Sequence, residues 1–160
     1  LPTQHEAGRL KRVAMAGSSD MFNKALDQAG CRTLLTALRR RASQNQTGAV
    51  LLTLMGGAIA DKPRDFNAFA HRQALFSAQY LTIHPEHSPE PLLAQSADWC
   101  HQMRYQMRRW SSGGAYLNYT DALMKHPALA YYAGHYARLQ QIKRRYDPQS
   151  LFRQRQGIKV

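Results

Sequence analysis

Followed as a pattern of hydrophobic and polar positions, the chain alternates between helical and extended stretches. Leu1 to about Lys11 reads as a leading strand or linker. Ser18-Ser19-Asp20 then offers side-chain oxygens of N-cap type, and Phe22, Leu26 and Ala29 recur at helical spacing. That combination predicts a helix, which Gly30 weakens. A second helical piece carries Leu34, Leu35 and Leu38 and ends in Arg39-Arg40-Arg41, where cations complement the negative end of the helix dipole. The period changes at Ala49. From there to Leu54 runs a continuous apolar stretch of strand length, closed by Gly56-Gly57. After a polar turn through Asp61 to Asp65, a second extended run spans about Ala74 to Ile83. Its alternation places Leu75, Ser77, Gln79 and Leu81 on one face, and Phe76, Ala78, Tyr80 and Thr82 on the other. Two such runs joined by a turn predict antiparallel pairing.

The proline-punctuated stretch from His84 to Pro91 reads as a loop. The helix after it carries a stripe of Trp99/Cys100, Met103, Met107 and Trp110, a spacing that makes core packing the default. Ser111-Ser112-Gly113-Gly114 ends that helix, and Ala115 to Tyr119 reads as a short aromatic strand. Tyr132, Tyr136, Leu139, Ile142 and Tyr146 mark a last helix, stopped by Asp147-Pro148. No repeat or low-complexity tract interrupts this order. The fold class expected is α+β, antiparallel strands flanked by helices.

Composition narrows the function classes. The 160 residues, 44% of them hydrophobic, suit one domain or the back end of a larger one and can bury a core. The longest purely apolar runs are a few residues, so no membrane-spanning helix is expected. The first residue is Leu1 rather than Met, with no signal-peptide core after it. This reads as a processed chain, a trimmed one, or a subunit cut from a precursor. The net charge of +12, from 22 Lys+Arg against 10 Asp+Glu, raises a polyanion-binding reading. The basic residues are nevertheless dispersed, and the clusters at Arg39–Arg41, Arg108-Arg109 and Lys143–Arg145 lie on helical patterns, where charge marks a solvated face. Nucleic acid is therefore not the expected partner. Cys31 and Cys100 could pair or stay as free thiols, and neither sits in a CxxC. His84-Pro-Glu-His87 falls in the loop with no second ligand pair, so no metal site is expected.

Tyr116-Leu117-Asn118-Tyr119 carries the candidate chemistry. On a strand, Tyr116 and Asn118 would share one face and Leu117 and Tyr119 the other, but a local bend would let all three polar side chains line one cavity. An ordinary half-buried aromatic strand also accounts for these residues. The wider context favours the cavity. Gly114-Ala-Tyr-Leu-Asn-Tyr-Thr-Asp121, Tyr131-Tyr132-Ala-Gly134, Tyr136-Ala-Arg-Leu-Gln-Gln-Ile-Lys143, Tyr146-Asp-Pro-Gln-Ser-Leu-Phe152 and Gln156-Gly-Ile158 follow one another in order. An earlier block has Gly56-Gly-Ala-Ile59, Ala68-Phe-Ala-His-Arg72 and Gln79-Tyr80. Together they resemble the C-terminal part of the berberine-bridge-enzyme-like FAD-linked oxidases, flavoproteins of the vanillyl-alcohol-oxidase type. The resemblance covers roughly residues 10 to 158. Each motif is weak alone, while the order and spacing are specific.

That resemblance implies a division of the chain. Residues 1–110 would be the C-terminal portion of an α+β substrate-binding domain, and residues 111–160 a segment returning to the FAD domain. It implies FAD as cofactor, a small-molecule substrate and oxygen as electron acceptor. Tyr116 and Asn118 would contact the flavin, and Tyr119 would be the catalytic proton acceptor and a substrate contact. Gln79 stands at a strand position that is often a carboxylate in the family, and an amide there can orient substrate but not act as a base. A tyrosine titrates near 10, so a base at Tyr119 needs neighbours that lower that value. His71-Arg72 is expected to be structural or interdomain. Ser150 stands where the family usually has Asn, which alters a turn hydrogen bond.

No GxGxxG or other pyrophosphate loop is present. The FAD-binding half would therefore come from another chain or fragment of the same enzyme, and the chain is not expected to be active alone. Oxidases of this type are often exported, which favours a secreted or periplasmic location. Two other classes remain open: a non-catalytic interaction subunit and a basic polyanion-binding module.

Overall fold

The computed structural model describes residues 12–160; the leading stretch Leu1–Lys11 lies outside them. Three strands form one sheet in the order β1-β3-β2: β1 is Val13–Phe22, β2 Ala49–Leu54 and β3 Phe76–Pro85. β3 is the centre and pairs antiparallel with both neighbours, Phe22 opposite Phe76 and Val13 opposite Pro85 on one side, Leu54 opposite Phe76 and Ala49 opposite Leu81 on the other. Helix α1 (Gln28–Ser43) crosses from β1 to β2, and α2 (Glu90–Met107) follows β3. Shorter helices α3 (Pro127–Tyr132) and α4 (Tyr136–Tyr146) carry the C-terminal part.

Alternation assigns the two sheet faces. Phe22, Phe76, Ala78 and Tyr80 point toward the helices and bury themselves against Cys100, Met103 and Met107 of α2. Phe22 and Phe76 stack with centroids 4.6 Å apart. Met103 and Met107 are fully buried, so the apolar stripe of α2 is core. On the opposite face, Met21 packs with Met55 and Ala74, and with Ile59, Phe69 and Tyr116. Beyond that cluster the same face carries exposed Val13, Met15 and Leu51.

Five expectations are corrected. Ser18-Ser19-Asp20 caps no helix; it lies inside β1 and is buried. Its oxygens are taken up by distant groups, including Asp121, which accepts from the Ser18 hydroxyl at 2.6 Å. The true cap of α1 is Asp27, whose carboxylate accepts from the Gly30 amide at 2.7 Å. Arg41 is no solvated cation at a helix end. It is buried, donates to the Thr47 carbonyl, Gln46 and Ser96, and lies over the Trp99 ring at 4.7 Å.

The single last helix is divided. Ala133, at φ 46°, and a 3-10 turn over Ala133–His135 separate α3 from α4. Finally, Ala115 to Tyr119 is a turn rather than a strand. His84, read as the start of a loop, still belongs to β3 and bonds the Ser96 hydroxyl at 2.8 Å. Cys31 is exposed and Cys100 buried, both as free thiols.

Candidate functional site

The sequence places two glycines before Tyr116, and the backbone uses both. Gly113 sits at φ 83°, a conformation open to glycine at little cost. At Gly114 a Cβ would lie 2.5 Å from Cε1 of His71, so the imidazole rests directly on the backbone. This stem attaches to the end of β1. The Ser112 amide donates to the Met21 carbonyl at 2.8 Å, and the Met21 amide to the Gly114 carbonyl at 3.0 Å. The Tyr116 amide donates to the Ser19 hydroxyl at 2.9 Å. The Tyr119 amide then reaches back to the Tyr116 carbonyl at 2.9 Å and closes the turn.

That bend gathers the three candidate side chains. The rings of Tyr116 and Tyr119 meet edge-on with centroids 5.0 Å apart. The Asn118 amide donates to the Tyr116 hydroxyl at 2.9 Å, and Asn118 itself is exposed. Phe69 meets the other side of Tyr116 edge-on at 6.2 Å, and His71 meets Phe69 at 5.7 Å. A cavity of about 200 Å³ is lined by Ala68, Phe69, His71, Tyr116, Asn118 and Tyr132.

Gln79 lies one strand away. It pairs with Ser19 across the β1–β3 ladder, so both project from the same face, the one that carries Tyr116. Gln79 is half-buried there. The structure therefore places Tyr116, Asn118 and Tyr119 on one turn and Gln79 beside it on the sheet.

Beneath the turn, burial pushes the His71 imidazole below its ordinary pKa. Arg72 donates to the Ile59 carbonyl and to Asn67, and lies over the Phe69 ring at 5.2 Å.

The exit of the turn is anchored at Asp121. Its carboxylate accepts from Ser18 and faces His101 Nδ1 at 3.3 Å; its amide donates to the Tyr131 hydroxyl; its carbonyl accepts from Gln156.

Sequence reasoning missed a second layer under the stem. Buried Asp20 accepts from Tyr80, Ser111 and Arg104, and Arg104 also donates to the carbonyls of Gly113 and Gly114. Burial raises the Asp20 carboxyl to about 6 in spite of Arg104 beside it. No local signal marked this layer, because Asp20 imitates a helix cap and Arg104 reads as one more surface cation on α2.

The C-terminal turn Asp147–Phe152 is also held by side-chain bonds. The Asp147 carboxylate accepts from the amides of Leu151 and Phe152 and pairs with Lys143, whose hydrogen bond holds it below the usual carboxylate range. Ser150 sits at φ 50°, so its replacement of Asn bears on backbone conformation and not only on a turn hydrogen bond.

Residues 115–159 match the family model described as "Berberine and berberine like". The matched stretch opens one residue before Tyr116 and contains the whole turn. Over that stretch the chain is similar to berberine-like proteins, and over most of its length it is similar to FAD-linked oxidoreductases. An uncharacterized FAD-linked oxidoreductase of Bacillus subtilis (strain 168) is 27% identical over 144 residues, 90% of this chain and 31% of that protein. The solved structure of a berberine-bridge-enzyme-like protein of Physcomitrella patens superposes with a TM-score of 0.76 at 25% identity, over 91% of this chain and 31% of the other. A chitooligosaccharide oxidase shares the fold, with a TM-score of 0.82 at 23% identity, over 96% of this chain and 34% of its own.

The chain thus spans about a third of the length of these relatives. The berberine-bridge-type segment supplies groups that suit part of FAD. An exposed amide beside two edge-on phenols fits the polar edge and flat face of a flavin ring. No glycine-rich loop in the sequence fits the pyrophosphate. Among the described residues no helix is long and apolar enough to cross a membrane, and no cluster of three or more His, Cys, Asp or Glu could hold a metal.

Proposed function

We propose that this chain supplies the substrate-facing sheet and the flavin-facing turn of an FAD-dependent oxidase acting on a hydroxylated or amine-bearing small molecule. The observation that carries the reading is the gathering of Tyr116, Asn118 and Tyr119 on one turn, above the sheet face from which Gln79 projects. FAD, when bound, supplies the acceptor for two electrons and is reoxidised by oxygen.

The roles of this chain's residues follow from their groups. The exposed Asn118 amide pairs with the polar edge of the ring, and Tyr116 packs beside it. Gln79 orients the substrate hydroxyl or amine. Tyr119 is the acceptor for the substrate's O–H or N–H proton while the neighbouring carbon loses hydride. Residues 1–110 belong to the substrate domain and 111–160 to the segment that returns to an FAD-binding part. The FAD-binding part lies outside these residues, and without it no turnover occurs. Export to an extracellular or periplasmic compartment goes with this reading.

Tyr119→Phe in the flavin-loaded protein tests it. The expected outcome is a turnover reduced by about 10²–10⁴-fold with flavin still bound and visible. A variant with near-normal turnover removes Tyr119 from the mechanism.

A further inference from the structure

We infer that Arg104 is a positioning residue for the Tyr116–Tyr119 turn, through a clamp joining α2, β1 and the Gly113-Gly114 stem. The inference rests on the reading of that turn as the flavin-facing element. Arg104 follows fully buried Met103 on α2, and its own side chain is 16% exposed. One guanidinium nitrogen donates to the Ser19 carbonyl, to Asp20 Oδ1 at 3.0 Å and to the Gly114 carbonyl at 3.4 Å. The other donates to the Gly113 carbonyl at 2.8 Å.

Asp20 completes the arrangement. The Ser111 hydroxyl donates to its Oδ1 at 2.7 Å and the Tyr80 hydroxyl to its Oδ2 at 2.8 Å. Ser111 in turn accepts from the Gly113 amide at 3.0 Å. Ser111, Gly113 and Gly114 are thus all fixed to one buried ion pair.

The clamp reaches Tyr116 by two short paths. Gly114 is two residues upstream of it. Ser19, whose carbonyl Arg104 holds, is also the residue whose hydroxyl accepts the Tyr116 amide. A planar guanidinium can serve several acceptors in fixed directions at once, whereas a lysine ammonium is a single point charge on a flexible stem. A buried ion pair is weak evidence for stability, and its best-attested use is to fix geometry. Here the geometry fixed is that of the turn. A misplacement of about 1 Å at reacting groups costs about 10²-fold in rate, so loosening this stem registers in catalysis without any direct contact.

The test uses the flavin-loaded protein that contains this chain. Arg104→Lys keeps a charge beside Asp20. Asp20→Asn with Arg104→Gln removes both charges, so that no buried carboxylate is left unpaired. Flavin circular dichroism, hydrogen exchange of the amides from Gly113 to Tyr119, and kcat and KM are measured separately.

Both variants are expected to bind flavin while exchanging those amides about tenfold faster or more. Their flavin dichroism changes, and kcat falls about 10–100-fold with KM within about twofold. The inference is overturned if exchange, dichroism and kcat match the wild type in whichever of the two variants folds. Asn118→Ala separates the two levels of the argument. If it alters the flavin dichroism while the Arg104 variants do not, the clamp fails and the turn's assignment stands. If Asn118→Ala leaves the dichroism unchanged, the assignment of the turn fails, and the clamp with it.

Discussion

Gly114→Ala probes the contact on which the turn is built. The added methyl would sit 2.5 Å from His71 Cε1 and 2.6 Å from Nδ1, against 3.4–4 Å for ordinary contact, so ring or backbone must move by about 1 Å. The ring has little room, because Phe69 meets it edge-on at 5.7 Å. Such overpacking costs about 1–3 kcal/mol. It is offset by about 0.4–1 kcal/mol, because alanine restricts the unfolded chain more than glycine does. The net expectation is a loss of between about 0 and 2.6 kcal/mol.

The decisive background is His71→Ala, which empties the space that the methyl would fill. There the same Gly114→Ala change should be neutral or stabilise by about 0.4–1 kcal/mol, so the cycle shows a coupling of about 1–3 kcal/mol. Urea unfolding followed by the fluorescence of Trp99 and Trp110, both packed against the core, reads all four proteins. An equal cost in both backgrounds would refute the contact.

Two further outcomes follow from buried groups. Asp20 has its carboxyl raised from 3.8 to about 6, chiefly by burial, so the native state holds a proton that the unfolded state releases. Stability therefore falls as pH rises from about 4 to about 6. The interval, at about 1.4 kcal/mol per pH unit, gives about 3 kcal/mol, and Asp20→Asn should flatten that slope in urea titrations. A wild-type stability flat over that range would contradict the assignment. Cys100 is buried and its thiol pushed up to about 11, chiefly by desolvation, whereas Cys31 is exposed. Ellman's reagent should modify Cys31 in the native protein and Cys100 only in urea, as mass mapping of the two peptides would show. Equal native labelling of both would contradict the burial of Cys100.

The parts legible in the sequence were those marked by an apolar run or stripe of the right period, even in β2, where most of that run is exposed. The apolar run Ala49–Leu54, the alternation around Phe76 to Thr82 and the Cys100–Met103–Met107 stripe each gave the element that the structure holds. β1 was not legible. Its Ser18, Ser19 and Asp20 are buried because partners as distant as Asp121, Tyr116 and Arg104 satisfy them, and locally they look like a cap. Tyr116 to Tyr119 has strand-forming residues, yet its backbone bonds run to Ser19 and back on itself, and tertiary contact decides for a turn. The candidate residues were found through motif order. That they share a turn is decided by the two-glycine stem docked on β1.

The strand order has a consequence during synthesis. β1 and β2 never touch as neighbours; each finds its partner only in β3, and Val13 meets Pro85. A ribosome that has delivered residues up to Leu54 has released two strands and a helix but no sheet. At about 5–20 residues per second, Phe22 waits several seconds for Phe76 and longer still for Met107. Through that interval Met21 and Phe22, fully buried in the finished molecule, stand open to chaperones and to aggregation. Codons that slow translation between Leu54 and Phe76 would lengthen this exposure, and the soluble yield of the chain would record it.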